Sequence, residues 1–158
     1  MSVCLIVRDA EAWLPDCLAS VASLGAELVV VDTGSNDRTP EIALEHGCRV
    51  SRFTWRNDFS AARNASIQQA SGSWLLFVDA DERLEPGSCE RLAELIASDR
   101  SDAYLATIIS GLGGNESVQH GAVRIVRNHP NLRFNGRIHE QLNLVELAFQ
   151  PVESDVAI

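Results

Sequence analysis

The amino-acid sequence predicts an α/β fold: a mostly parallel sheet flanked by helices, with a mixed or antiparallel section towards the C-terminus. Three observations carry this. The apolar runs at residues 3–7, 28–31 and 74–78 are bounded by polar or turn-forming residues, the pattern of strands buried on both faces. Helical patterns separate them, which makes βαβ units with right-handed crossovers. The last two runs also end on carboxylates, Asp32 and then Asp79 with Asp81. Carboxylates just past strand ends sit in the crevice where open α/β sheets bind ligands.

Each element follows from its residues. After the strand at 3–7, residues Trp13, Leu14, Cys17, Leu18, Val21 and Ala22 share one helical face. Residues 28–31 form the second strand, Thr39 is expected as an N-cap with Pro40 at the first helical position, and Gly47 closes that helix. Residues 49–53 read as a short third strand and 60–70 as a small-residue helix stopped by Gly72. The fourth strand is expected at 74–78, and a helix at 86–97 beginning with Pro86. Beyond Asp102 the texture changes. Strands at 104–109 and 122–126 are joined by a loop containing Gly111, Gly113, Gly114 and Asn115, and a turn at 128–131 leads into a strand at 132–138. This section is expected at the sheet edge.

A chain of 158 residues, 46% of them hydrophobic, is long enough for one domain with a real core and too short for two of ordinary size. Residues 1–158 are therefore expected to form one domain, with a nucleotide-binding type of α/β half at 1–100 and a second half at 101–158. The net charge of -9 argues against nonspecific nucleic-acid binding, which takes clustered cations, whereas the 13 basic residues are scattered. An acidic chain that binds an anionic nucleotide needs a bridging cation. Cys4, Cys17, Cys48 and Cys89 show no metal-ligand spacing, so reduced, buried thiols are expected. The apolar segment 2–7 is short and lacks a basic leader, so neither a signal peptide nor a transmembrane segment is expected, and a cytoplasmic location is.

Asp32 opens a polar turn, Thr33 to Asp37, that leads to the next helix. A carboxylate there can accept from an imide N–H or a ribose hydroxyl, with Gly34 allowing close backbone approach; the same residues equally make an ordinary turn. Asp79 and Asp81 flank Ala80. In an extended segment they would face one small volume, a costly arrangement without a cation such as Mg²⁺ or Mn²⁺ shared with diphosphate oxygens. The competing account is a solvated acidic turn with Glu82 and Arg83.

Four segments, VVVDTGSND at 29–37, DFSAARN at 58–64, LLFVDADE at 75–82 and RIVRNHPNLRFNGRIHEQ at 124–141, together resemble the family-2 glycosyltransferases with the GT-A fold. The resemblance runs from about residue 3 to about residue 141. It implies that Asp32 holds the nucleobase, usually uracil, and that Asp79 with Asp81 is the DxD motif, the first near the ribose and the second on a divalent metal. It also implies that Arg63 lies near the nucleotide, beside Asp32 or the diphosphate. Glu140 falls where relatives carry an acidic catalytic base, with His139 as a metal or diphosphate contact or as a group orienting Glu140. Ser60, Ala61, Ala62 and Ala65 are read as close helix packing.

The sequence departs from the family pattern at the end of the first strand, where Arg8, Asp9, Ala10 and Glu11 replace Lys-Asn-Glu-Glu. The resemblance makes 101–158 the acceptor-side half. Relatives continue past a strand like 156–158, so that half is expected to be truncated. The resemblance implies a metal-dependent inverting glycosyltransferase that uses a nucleotide-sugar donor, most simply a UDP-sugar, and a glycan, lipid-linked or peptide acceptor. The alternative is a truncated nucleotide-sugar-binding module without transfer. A domain ending on an edge strand also suits a homo-oligomer.

Overall fold

The apolar run at the N-terminus becomes the middle of the sheet. The structure, a computed structural model, describes residues 1–113 and 116–158. Its strands are Ser2–Val7 (β1), Glu27–Asp32 (β2), Arg49–Arg52 (β3), Trp74–Phe77 (β4), Ala103–Gly113 (β5), Glu116–Arg127 (β6), Phe134–Asn135 (β7), Gln141–Leu142 (β8) and Val152–Ala157 (β9). Its α-helices are Leu14–Val21 (α1), Thr39–Glu45 (α2), Phe59–Gln69 (α3) and Ser88–Ser98 (α4). Seven strands form one sheet in the order β3-β2-β1-β4-β6-β5-β9. β1 to β4 are mutually parallel, β6 runs antiparallel to both β4 and β5, and β9 is parallel to β5. The sheet thus takes strands from both the 1–100 and the 101–158 halves.

Both faces of the sheet are covered, which explains the continuous apolar runs. Val3, Leu5 and Val7 of β1 pack in one layer with Leu14, Leu18 and Val21 of α1, with Leu92 of α4 in the same cluster. Cys4, one residue out of phase, joins Val29, Leu75 and Phe77 on the other face with Ile67 of α3. Phe77 meets Phe134 edge-on at 5.0 Å on that second face, tying the segment after β6 to the centre of the sheet.

Several boundaries differ from the sequence expectations for local reasons. Asp37, not Thr39, holds the start of α2: its Oδ1 accepts from the Thr39 N–H and hydroxyl, while the Thr39 Oγ1 accepts from the Ala10 N–H. α4 starts at Ser88, because Gly87 at φ 80 forms the cap and Pro86 lies before it. Gly111 and Gly113 continue β5 rather than forming a loop; Gly114 and Asn115 lie outside the described residues. The strand expected at 132–138 shrinks to Phe134–Asn135, paired with Gln141–Leu142 in a separate two-stranded sheet. Gly136 at φ 95 and His139 at φ 55 fold the chain back between them. Among the described residues no helix is long and apolar enough to cross a membrane.

Candidate active site

The chain runs outward from β1 to β2 and β3, then returns to place β4 on the other side of β1. That reversal leaves a crevice at the carboxyl ends of β1, β2 and β4, the switch point at which such sheets bind ligands. A cleft of about 520 Å³ opens there, lined by Val7, Arg8, Thr33, Arg63, Asp79 and Glu140, with Trp55, Phe59, Ile138 and His139 among its other walls. A second cavity of about 400 Å³ adjoins it through Thr33 and Trp55 and is bordered by Asp32, Gly34 and Arg52.

Asp32 is fully buried at the end of β2. Its Oδ1 accepts from the Ser35 N–H at 2.9 Å, while Oδ2 has no hydrogen-bond partner. The Arg52 Nε lies 3.8 Å from Oδ2, which is electrostatic proximity and too long for a hydrogen bond. A buried acceptor left unmatched beside a cavity is costly, and an N–H donor entering that cavity would satisfy it.

Asp79 and Glu140 belong to a chain of charges along the cleft. The Arg63 Nε donates to Glu140 Oε1 at 2.6 Å, and Arg63 NH2 donates to Asp79 Oδ1 at 3.0 Å. Arg124 reaches Asp79 Oδ2 at 3.4 Å and Glu82 Oε1 at 2.5 Å, and Glu82 Oε2 accepts from the Asp79 N–H at 2.8 Å. Burial works to raise the Asp79 pKa, but Arg63 and Arg124 overcome it and hold this carboxyl below the usual range. Burial works against the Arg63 cation too; Asp79 and Glu140 more than offset it and push its pKa up. For Glu82 burial wins over Arg124 and its pKa is raised. The Arg63 guanidinium also lies 5.6 Å from the centre of the Phe134 ring.

The segment DFSAARN explains how Glu140 is held. Asp58 caps α3, accepting from the Ala61 N–H, and the free Phe59 N–H donates to the Arg137 carbonyl. At the next residue, the Ser60 hydroxyl donates to the Gly136 carbonyl at 2.5 Å. Asn64 then pairs with the Phe134 backbone in both directions, donating to its carbonyl and accepting from its N–H. Ala62, fully buried, keeps the helix close to the sheet. Residues 134–140 therefore hang from the first turns of α3, and Arg63, on the same helix, meets Glu140 at the end of the segment.

Arg63, Asp79 and Glu140 come together; Asp32 stands in the adjoining cavity. Arg63 is not beside Asp32 but between the other two carboxylates. Asp79 to Glu82 is a turn closed by the Glu82 N–H on the Asp79 carbonyl at 2.9 Å, so the alternation of an extended segment does not apply, and Asp81 sits exposed on that turn. His139 is exposed on the cleft wall with its backbone at φ 55. Ser60 does more than pack, as its hydroxyl anchors residue 136. Sequence reasoning missed Asn64 and Arg124; a charged residue in the apolar run 122–126 was the available signal for Arg124.

Among the described residues no three His, Cys, Asp or Glu side chains gather into a metal-holding group. The chain could contribute Asp81, with Asp79 already engaged by two guanidiniums. That donor set fits Mg²⁺ or Mn²⁺ completing its shell with diphosphate oxygens and water, the way such ions are held by one or two carboxylates.

A parallel sheet with a nucleotide-sized crevice, extended by an antiparallel section and carrying carboxylates past β2 and β4, defines the GT-A class of fold. The chain belongs to glycosyltransferase family 2: the profile described as "Glycosyl transferase family 2" matches residues 2–148. It is 42% identical over 159 residues to a TPR repeat-containing protein of Synechococcus elongatus, an alignment covering 97% of this chain and 38% of that protein. It is 28% identical over 142 residues to the SPbeta prophage-derived glycosyltransferase SunS of Bacillus subtilis, covering 87% of this chain and 33% of SunS. Among solved structures, residues 1–349 of S. aureus TarS in complex with UDP-GlcNAc superpose with a TM-score of 0.62 at 27% identity, covering 73% of this chain and 36% of that one. The chain thus spans between about a third and two fifths of the length of these curated relatives.

Proposed function

We propose that the chain carries the donor site and catalytic base of an inverting glycosyltransferase that uses a nucleotide-sugar, most simply a UDP-sugar, and acts on a glycan, lipid-linked or peptide acceptor. The observation that carries this is the Arg63 bridge, which brings the donor-side carboxylate Asp79 and the acceptor-side carboxylate Glu140 to one guanidinium. The UDP-GlcNAc complex of TarS supports the choice of donor.

In this reading the unmatched Asp32 Oδ2 accepts from the uracil N–H. Asp79 lies beside the ribose and diphosphate, Asp81 and Asp79 form the DxD pair, and His139 is a further contact on the cleft wall. A divalent ion on Asp81, shared with Asp79, would supply charge neutralisation for the diphosphate leaving group. Glu140 is the general base: Arg63 occupies its Oε1 and steadies the carboxylate, while Oε2 is available to the acceptor. As the acceptor nucleophile attacks the anomeric carbon, its proton passes to Glu140, the bond from that carbon to the diphosphate oxygen breaks, and the nucleoside diphosphate departs with the bonding pair. One displacement inverts the anomeric centre.

Calorimetric titration with UDP in Mn²⁺, then in EDTA, with GDP as control, tests the donor site. Metal-dependent, UDP-selective binding supports the proposal, and transfer from a UDP-sugar completes it. Equal affinity for UDP and GDP would remove the role given to Asp32.

A further inference from the structure

We infer that Arg8 binds the donor diphosphate, an inference that rests on the nucleotide-sugar proposal above. Arg8 follows the last residue of β1 and lines the main cleft. β1 lies between β2 and β4, and Val7 is in register with Asp32, so Arg8 stands between the strand that ends on Asp32 and the strand that leads into Asp79. A donor whose base sits in the Asp32 cavity extends its ribose and then its diphosphate into the main cleft, which Arg8 lines together with Arg63 and Asp79.

The charges point the same way. The other two arginines of the charge chain are committed: Arg63 to Asp79 and Glu140, Arg124 to Asp79 and Glu82. The closest carboxylate to Arg8 is the adjacent Asp9, at 3.7 Å, with both side chains about half exposed. That contact is a weak surface pair. Asp9 is itself otherwise engaged, its Oδ1 accepting from the Asn36 N–H at 2.7 Å. Arg8 is thus a cation on the cleft wall that can turn to a ligand without leaving a buried carboxylate unpaired. A diphosphate bound by an acidic chain of net charge -9 needs such a group.

The backbone beneath it is fixed beforehand. The Asp9 N–H donates to Ser35 Oγ, the Ala10 N–H to Thr39 Oγ1 and the Glu11 N–H to Asp37 Oδ2, lacing residues 9–11 to the turn after β2. Asp9 adopts φ 49, a left-handed conformation that Asp and Asn tolerate better than most residues. The departure from the family pattern at this residue therefore leaves Asp9 in a backbone role in which an acceptor suffices, and the basic side chain before it is held at the mouth of the crevice.

The test compares UDP with uridine on the wild-type chain and on Arg8→Gln and Arg8→Lys, using calorimetry for UDP, ligand-observed NMR for uridine and a melting curve for each variant. Arg8→Gln is expected to weaken UDP about tenfold or more, the loss of one charge-assisted contact, with uridine unchanged and Arg8→Lys intermediate. UDP affinity unchanged in Arg8→Gln, or UDP and uridine weakened alike, overturns the inference. A wild-type chain that fails to bind UDP at all counts against the donor proposal itself, and the role of Arg8 falls with it.

Discussion

The Arg63 Nε and the Glu140 Oε1 meet at 2.6 Å across 77 residues of sequence, and the same guanidinium holds Asp79. A helix following the third strand thus sets the distance between two carboxylates that belong to different parts of the chain.

Removing the proposed base isolates its role. Glu140→Gln keeps the size of the side chain and an acceptor oxygen for Arg63, so UDP binding should persist while transfer from a UDP-sugar falls by about 10²- to 10⁴-fold. Parallel loss of UDP binding would mean that Glu140 serves the donor instead.

Arg63 should be structural as well as functional. Arg63→Leu strands Asp79 with Arg124 alone and leaves Glu140 without its cation, which should destabilise the fold by about 3 kcal/mol in urea unfolding. A double substitution with Glu140→Gln should recover part of that loss, since the unpaired charge is removed with it.

Asp81→Asn should abolish the difference between UDP titrations in Mn²⁺ and in EDTA while leaving stability within about 0.5 kcal/mol, because the side chain is exposed on its turn. Metal-dependent binding that survives would move the metal off this residue.

Acid should weaken the fold through Asp79. Its folded pKa is depressed from 3.8, so it contributes stability that is present above that value and is lost as pH falls through the lower, folded one. Melting temperatures followed from pH 5 downward should fall more steeply for the wild-type chain than for Asp79→Asn, which lacks this titration.

The thiols offer a check on packing that is independent of function. Burial pushes Cys4 and Cys17 up to about 12 and Cys48 to about 11, whereas Cys89 is only half-buried. Under native conditions a thiol reagent should modify Cys89 first and the other three only on unfolding; early labelling of Cys17 would contradict the packing of α1.

The parallel half of the fold was legible because its strands are buried on both faces and its helices carry one apolar side, so period and length separate the two. The carboxylates past β2 and β4 were legible for the same reason, as strand ends fix where they emerge. What escaped depended on contacts between distant segments. No local pattern in 132–138 shows that Asn64 takes up the Phe134 backbone and leaves a two-residue strand. The turn at Asp79 to Glu82 defeats the alternation inferred for Asp79 and Asp81, because a tight turn and an extended segment have the same sequence spacing. Arg63 was found, but its partners lie 16 and 77 residues away, beyond any periodicity.

The central position of β1 has a consequence for how this scaffold can diversify. Asp32 and Asp79 rise from the strands on either side of it, so two inter-strand steps of the sheet, roughly 10 Å, set their lateral spacing. That interval works as a gauge whose graduations are backbone hydrogen bonds, and side-chain replacement does not stretch it. In the proposed donor site the residues around the base, at 33–36 and 53–55, lie on loops outside the gauge. A change of nucleobase preference can therefore be written into those loops while the distance to the reacting end of the donor stays constant.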